Sequence, residues 1–196
     1  AIQINESEHY INFERSPLNS HLSVSLSGNK HLTRLILKRR GHANIPFKRA
    51  RTLTAATAFL DEHGVIIAKP LKGSGSRGIK IISSTSDFDG LVLSNHILEK
   101  YMPGVEMRYL IMDGRVIAVH RSNYGTSVDK NRDLERISLP YTDWDQAIVA
   151  RSITIAELLG LRFAAVDYLV DNAGAYHLLE VGAAPGFKWF HAPTSG

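Results

Sequence analysis

Apolar residues along this chain keep two different spacings, and the changes from one to the other mark out its elements. Between residues 29 and 40, Leu32, Leu35 and Ile36 recur at helical spacing, with Asn29 placed to cap the start and Gly41 to end the run. Residues 52–63 predict a second short helix, with Leu53, Ala56 and Phe59 or Leu60 turned inward and Gly64 closing it. A β-branched run at 65–67 then leads into Ala68 and Lys69, passes through a loop with three glycines, and resumes at Ile79-Lys80-Ile81-Ile82, which is the layout of a hairpin. Residues 86–93 predict a short helix behind a Thr85 or Ser86 cap, and residues 96–101 a strand that stops at Pro103-Gly104. Two runs, 105–112 and 115–121, flank Asp113-Gly114, the strongest short hairpin signal in the chain. Residues 124–140 are polar, carry both charges and show no period, which predicts a mobile loop. The longest helix is predicted from Asp143 or Asp145 through Ile148, Ile153, Ala156 and Leu158-Leu159 to Gly160. Two last strands, 162–170 and 175–181, are joined by Asp171-Asn172-Ala173-Gly174, while residues 1–28 read as a strand or two and a polar loop broken at Ser16-Pro17-Leu18-Asn19-Ser20. The order predicts an α+β fold whose main unit is the antiparallel hairpin.

Composition narrows the chemistry. The 196 residues suffice for one domain or two small lobes with a real core, and 44% hydrophobic with 21% charged residues is ordinary for a globular protein. No run approaches eighteen apolar residues, and the polar start Ala1-Ile2-Gln3-Ile4-Asn5-Glu6 has no signal-peptide pattern, so a cytoplasmic protein without membrane partners is expected. Zero cysteines remove disulfides, thiolate nucleophiles and cysteine–zinc sites together. The net charge of +4 gives nucleic acid little support, because the basic residues are dispersed apart from Lys38-Arg39-Arg40, which closes a helix and suits its dipole. No histidine is singled out; His120 and His177, on strands, read as structural or exposed.

The glycine loop spells G-x-G-x-x-G at Gly73, Gly75 and Gly78, yet the dinucleotide fingerprint needs a helix to open at the third glycine, and Ile79 to Ile82 alternate like a strand. No Gly-Lys-Ser/Thr follows, so the Walker pattern fails as well. What survives is a flap between two strands whose bare amides, with the compact charge of Lys69, suit a nucleoside triphosphate. An ordinary hairpin turn is the competing reading of this stretch. On the final hairpin a short turn sets Asp167 and Glu180 across from each other among apolar neighbours. Paired carboxylates of this kind suit Mg²⁺, which takes one or two acids plus phosphate oxygens. The competing reading is two single acids facing solvent.

Three blocks in this order, IIAKPLKGSGSRG, LEKYMPGVEMRY, and VDYLV followed by LLEVGAAPGF, resemble the ATP-grasp superfamily of carboxylate–amine ligases. The resemblance covers about residues 29–190 and is strongest to the branch holding the ribosomal-protein glutamate ligase, cyanophycin synthetase and the glutathione synthetase module of fused bacterial enzymes. It implies two α+β lobes whose antiparallel sheets grip a nucleotide: a strand and loop remnant at 1–28, a lobe with the flap at 29–98, and a lobe with a metal site at 99–196. It further implies ATP and Mg²⁺ as cofactors and a reaction joining a carboxylate, from an amino acid or peptide, to an amine through an acyl phosphate.

Carried over by position, the resemblance makes Lys30 and Lys69 phosphate contacts and closes the flap, Gly73, Ser74, Gly75, Ser76 and Gly78, over the triphosphate. Glu99 begins the hinge and faces the adenine, whose edge the backbone of Lys100, Tyr101 and Met102 reads; Glu106 binds ribose hydroxyls. Asp167 and Glu180 become the magnesium ligands, and Arg108 and Arg121 face the acyl phosphate and the acceptor, Arg121 foremost. The bland counterparts are surface charge for Lys30 and Glu99 and a strand edge for the two arginines.

The chain departs from the pattern in places. Relatives read Glu-x-Asn in the last block, the asparagine being a third metal ligand, where this chain has Gly182. Ala165 stands where D-alanine ligases have arginine. The preceding α/β domain is expected to be mostly absent, to be supplied by a partner chain, and the chain stops about ten residues after Pro185-Gly186. A fragment, a partner subunit and a reduced enzyme each fit, and a homo-oligomer is expected. The rival readings are an ATP-binding module without turnover and, from charge alone, a nucleic-acid binder.

Overall fold

A computed structural model of the chain describes residues 2–4, 7–9, 16–73, 77–122 and 136–185. Two antiparallel sheets organise them. The first holds β3 (Phe47–Lys48), β6 (His96–Lys100), β4 (Ile66–Pro70) and β5 (Lys80–Ile82), side by side in that order. The second runs β11 (Tyr176–Gly182), β10 (Phe163–Val170), β7 (Val105–Met112), β8 (Arg115–Ser122) and β9 (Arg136–Ser138). A separate short ribbon pairs β1 (Ile2–Ile4) with β2 (Ser7–His9). β6 passes through positions 98 and 99 without a break, so Glu99 stands in the first sheet.

Each sheet is covered on one face by a helix, which buries the apolar half of its two-residue alternation. Helix α3 (Leu53–His63) sets Ala56, Phe59 and Leu60 on Ile66, Ala68, Ile82 and Leu98 of the first sheet. Helix α4 (Gln146–Leu158) sets Ile148, Ile155 and Ala156 on Tyr109, Val119, Val166 and Tyr168 of the second. The Thr52 and Asp145 side chains cap these helices, satisfying amides that have no partner within the helix. At the Asp113-Gly114 turn both φ angles are positive, 49° and 74°, the geometry that matches the twist of the strands on either side.

The apolar pattern misplaces some of this. Residues 21–27, read as part of a polar loop, form helix α1 (His21–Ser27), capped by Ser20. It is inverted: Ser23 and Ser27 are buried while Leu22 is exposed, because a small side chain is needed where Ser23 meets Gly160. In helix α2 (Lys30–Arg39), capped by Asn29, the buried residues are Thr33, Arg34 and Leu37, and Leu32 is exposed. Leu53, expected inside, is 55% exposed at the first turn of α3. The helix expected at 86–93 is a single 3₁₀ turn, Thr85–Phe88, behind Ser84 and Asp87, and the end of the segment expected as a loop, Arg136–Ser138, pairs as β9.

Candidate functional site

Strand alternation leaves the face of each sheet away from its helix for polar groups. In the first sheet Ile67 is opposite Glu99 and Lys69 is opposite Ile97, so Lys69 and Glu99 share the face turned from α3. In the second sheet one row crosses all five strands: Glu180 opposite Asp167, Asp167 opposite Arg108, Arg108 opposite His120 and His120 opposite Ser138. The two acids are therefore cross-strand partners, as the hairpin reading expects.

Helix α2 links the two faces. Its first amide donates to the Leu71 carbonyl, just before the flap, so Lys30 is fixed at the flap's root. The Lys30 ammonium donates to the Gly73 carbonyl at 2.8 Å and lies 3.1 Å from a Glu180 carboxylate oxygen. One turn further along, the Arg34 guanidinium donates to Glu99 Oε1 at 2.7 Å and to the carbonyls of Leu178 and Leu179 at 2.5 and 2.8 Å. Lys69 Nζ donates to the other Glu99 oxygen at 2.5 Å. Lys30, Arg34, Lys69, Glu99 and Glu180 line one cleft, with Leu178 and Leu179 beside them.

Its electrostatics follow from burial. Arg34, Lys69 and Glu99 are 4%, 7% and 2% exposed, and together carry one positive charge more than they neutralise. Burial alone disfavours an ionised Glu99, but the charges and hydrogen bonds of Arg34 and Lys69 outweigh it and hold the carboxyl at about 2. Lys30 and Glu180 offset each other, so the cleft keeps this single positive charge in excess, an arrangement that draws an anion.

The sequence-predicted residues divide accordingly. Lys30, Lys69, Glu99 and Glu180 come together, with Asp167 beside Glu180. Gly73 and Gly78 flank the flap with φ of 126° and 74°, and a Cβ at Gly78 would sit 3.0 Å from the Pro70 ring. Ser74, Gly75 and Ser76 lie outside the described residues, as do residues 124–135 of the expected loop. Glu99 has both oxygens engaged by Arg34 and Lys69, so it holds the lysine rather than standing open to a base. The N–H groups of Lys100 and Tyr101, expected to face a base edge, donate instead to the carbonyls of Pro46 and Val65. Glu106 is two positions before Arg108 on β7, on the same face. Arg121 does not reach the site: it is opposite Met107, whose side chain is in the α4 core, so it emerges, exposed, on the other face. Arg108 and Arg121 share a hairpin, but an odd offset from the cross-strand partner, His120, reverses the face.

One residue of the cleft escaped the sequence reading: Arg34 looks like one more surface charge on a basic helix, and only the packing of α2 buries it. His120, read as structural or exposed, is 4% exposed and opposite Arg108 in the polar row.

For a divalent cation, Glu180 is the accessible donor, its side chain 44% exposed at the cleft. Asp167 gives both oxygens to Arg108 at 2.7 Å each. Among the described residues no three His, Asp or Glu side chains converge. This donor set fits Mg²⁺ only in company with phosphate oxygens, the way nucleotide-bound magnesium is held.

No protein-family model and no curated protein matches the sequence. Solved structures do match the fold. The chain superimposes with a TM-score of 0.71 on the ATP-grasp ligase PsnB complexed with a minimal precursor, at 20% identity, covering 88% of this chain and 58% of that one. The macrocyclase MdnC from Microcystis aeruginosa MRC, bound with precursor peptide MdnA, gives 0.71 at 18% identity, over 91% and 59%. D-alanine–D-alanine ligase from Bacillus anthracis gives 0.68 at 21% identity, over 88% and 62%. The chain thus has the ATP-grasp fold, α+β with two antiparallel sheets, and spans under two thirds of the length of these structures. Among the described residues no helix is long and apolar enough to cross a membrane.

Proposed function

We propose that this chain is the nucleotide-gripping part of an ATP-dependent ligase that joins a carboxylate, from an amino acid or peptide, to an amine through an acyl phosphate. The observation that carries the reading is the meeting of Lys30, Lys69 and Glu180, from three separate elements, in one cleft between two sheets. ATP-grasp ligases of this fold solved with ATP, or with Mg and ADP, support the choice of ligand.

In this reading Lys30 turns from Glu180 and the Gly73 carbonyl, and Lys69 from Glu99, to phosphate oxygens, whose charge the two ammonium groups offset. Glu180, with Asp167 beside it, would hold Mg²⁺, which when bound neutralises phosphate charge. Arg108, the arginine of the hairpin on the cleft face, stands next to the acid pair, where an acyl phosphate and its attacking amine would meet. The test is ADP release measured against panels of carboxylates and amines. Release that requires both supports ligation; failure of the chain to bind ATP at all overturns the reading.

A second reading has its own observations. Gly182 offers no side chain to a metal and Arg108 occupies both oxygens of Asp167, which favours a module that binds Mg·ATP without turnover. It would bind nucleotide yet release no ADP with any acid and amine.

A further inference from the structure

We propose that Arg34 is a positioning residue for the phosphate-binding lysine: it aligns Lys69 in the first sheet with the acid-bearing strand β11 of the second. The proposal rests on the nucleotide reading above. Arg34 belongs to neither sheet, yet one planar guanidinium fork reaches both, through Glu99 on β6 and through the Leu178 and Leu179 carbonyls on β11. Those carbonyls immediately precede Glu180, so the same side chain fixes the strand that carries the acid and the carboxylate that carries the lysine. A lysine, with a single point charge, cannot make this span, because only the guanidinium presents several donors in a fixed plane.

The sharing of Glu99 has a second consequence. Were Lys69 its only partner, the two would form a closed neutral pair with no reason to release the ammonium. With Arg34 on Oε1, the carboxylate stays compensated when Lys69 turns from Oε2 toward an anion in the cleft. Arg34 would then act on a ligand without touching it, and only on the part of the ligand that Lys69 touches.

That restriction makes the inference testable by titration calorimetry with two probes, ATP and adenosine, which has no phosphate, on the wild-type chain, Arg34→Gln, Lys69→Met and the double variant. Arg34→Gln is expected to weaken ATP by about tenfold while leaving adenosine within about twofold, and to add nothing to Lys69→Met, as coupled neighbours behave. Arg34→Lys, which keeps the charge, should recover less than half of the logarithmic loss. Circular dichroism checks that each variant is folded; Arg34→Lys carries the test if Arg34→Gln is not. Equal losses for ATP and adenosine, or effects of the two substitutions that add, overturn the inference and assign Arg34 a structural role alone. A wild-type chain that binds neither probe overturns the nucleotide reading beneath it instead.

Discussion

The Lys30 ammonium and the Glu180 carboxylate meet at 3.1 Å across the cleft, one from the first turn of α2 and the other from the edge strand of the second sheet. With Glu180 side chain 44% exposed, such a pair is worth at most about 1 kcal/mol. Lys30→Ala should therefore shift the melting temperature little while weakening ATP by about tenfold, a separation that thermal melts and calorimetry on the same sample will show.

Arg108 and Asp167 behave differently. The carboxylate is 7% exposed and doubly bonded to a guanidinium that is 30% exposed. Arg108→Ala strands a buried charge and should cost about 3 kcal/mol in a denaturant titration. Asp167→Asn should cost less than half of that, because the amide oxygen still accepts from Arg108 and the cation reaches water.

Glu99 sets the acid limit of the first sheet. Its folded value of about 2 lies below its ordinary 4.5, so the stabilisation is complete above the ordinary value and drains away as pH falls through 4.5 toward about 2. The linkage amounts to about 3 kcal/mol. Glu99→Gln should be less stable than the wild type at pH 7 and show a shallower loss over that acid window, followed by fluorescence-detected unfolding.

Gly182 stands in β11 with no heavy atom within 4 Å of a Cβ built on it, and its φ is not positive. Gly182→Asn should thus fold with a stability change under about 1 kcal/mol. The new side chain stands two positions from Glu180 on its own strand, and it should tighten Mn²⁺ retention in the presence of a non-hydrolysable ATP analogue by about tenfold, read by electron paramagnetic resonance. Unchanged retention would mean that the acid pair does not hold the ion.

How far the sequence foretells this molecule depends on whether a feature is local. The cap at Asn29, the helix starts at Thr52 and Asp145, the Asp113-Gly114 turn and the pairing of Asp167 with Glu180 are set by neighbours in the chain, and all are present. The serine-inward helix α1, the outward Leu32 and the burial of Arg34 are set by what packs against them, which no periodicity contains. The face of Arg121 turned on a single position of register that the hairpin signal leaves open. Glu99 was placed in the site by its motif, but its partners, Arg34 and Lys69, come from two other elements.

The account as a whole depends on Lys69 serving a ligand in the cleft and not merely Glu99. Titration of Mg·AMPPNP into the wild-type chain and Lys69→Met tests this most directly. One site per wild-type chain, with affinity reduced at least about tenfold in the variant, is the predicted result. Equal affinity in the two, or no binding by the wild type, would contradict it.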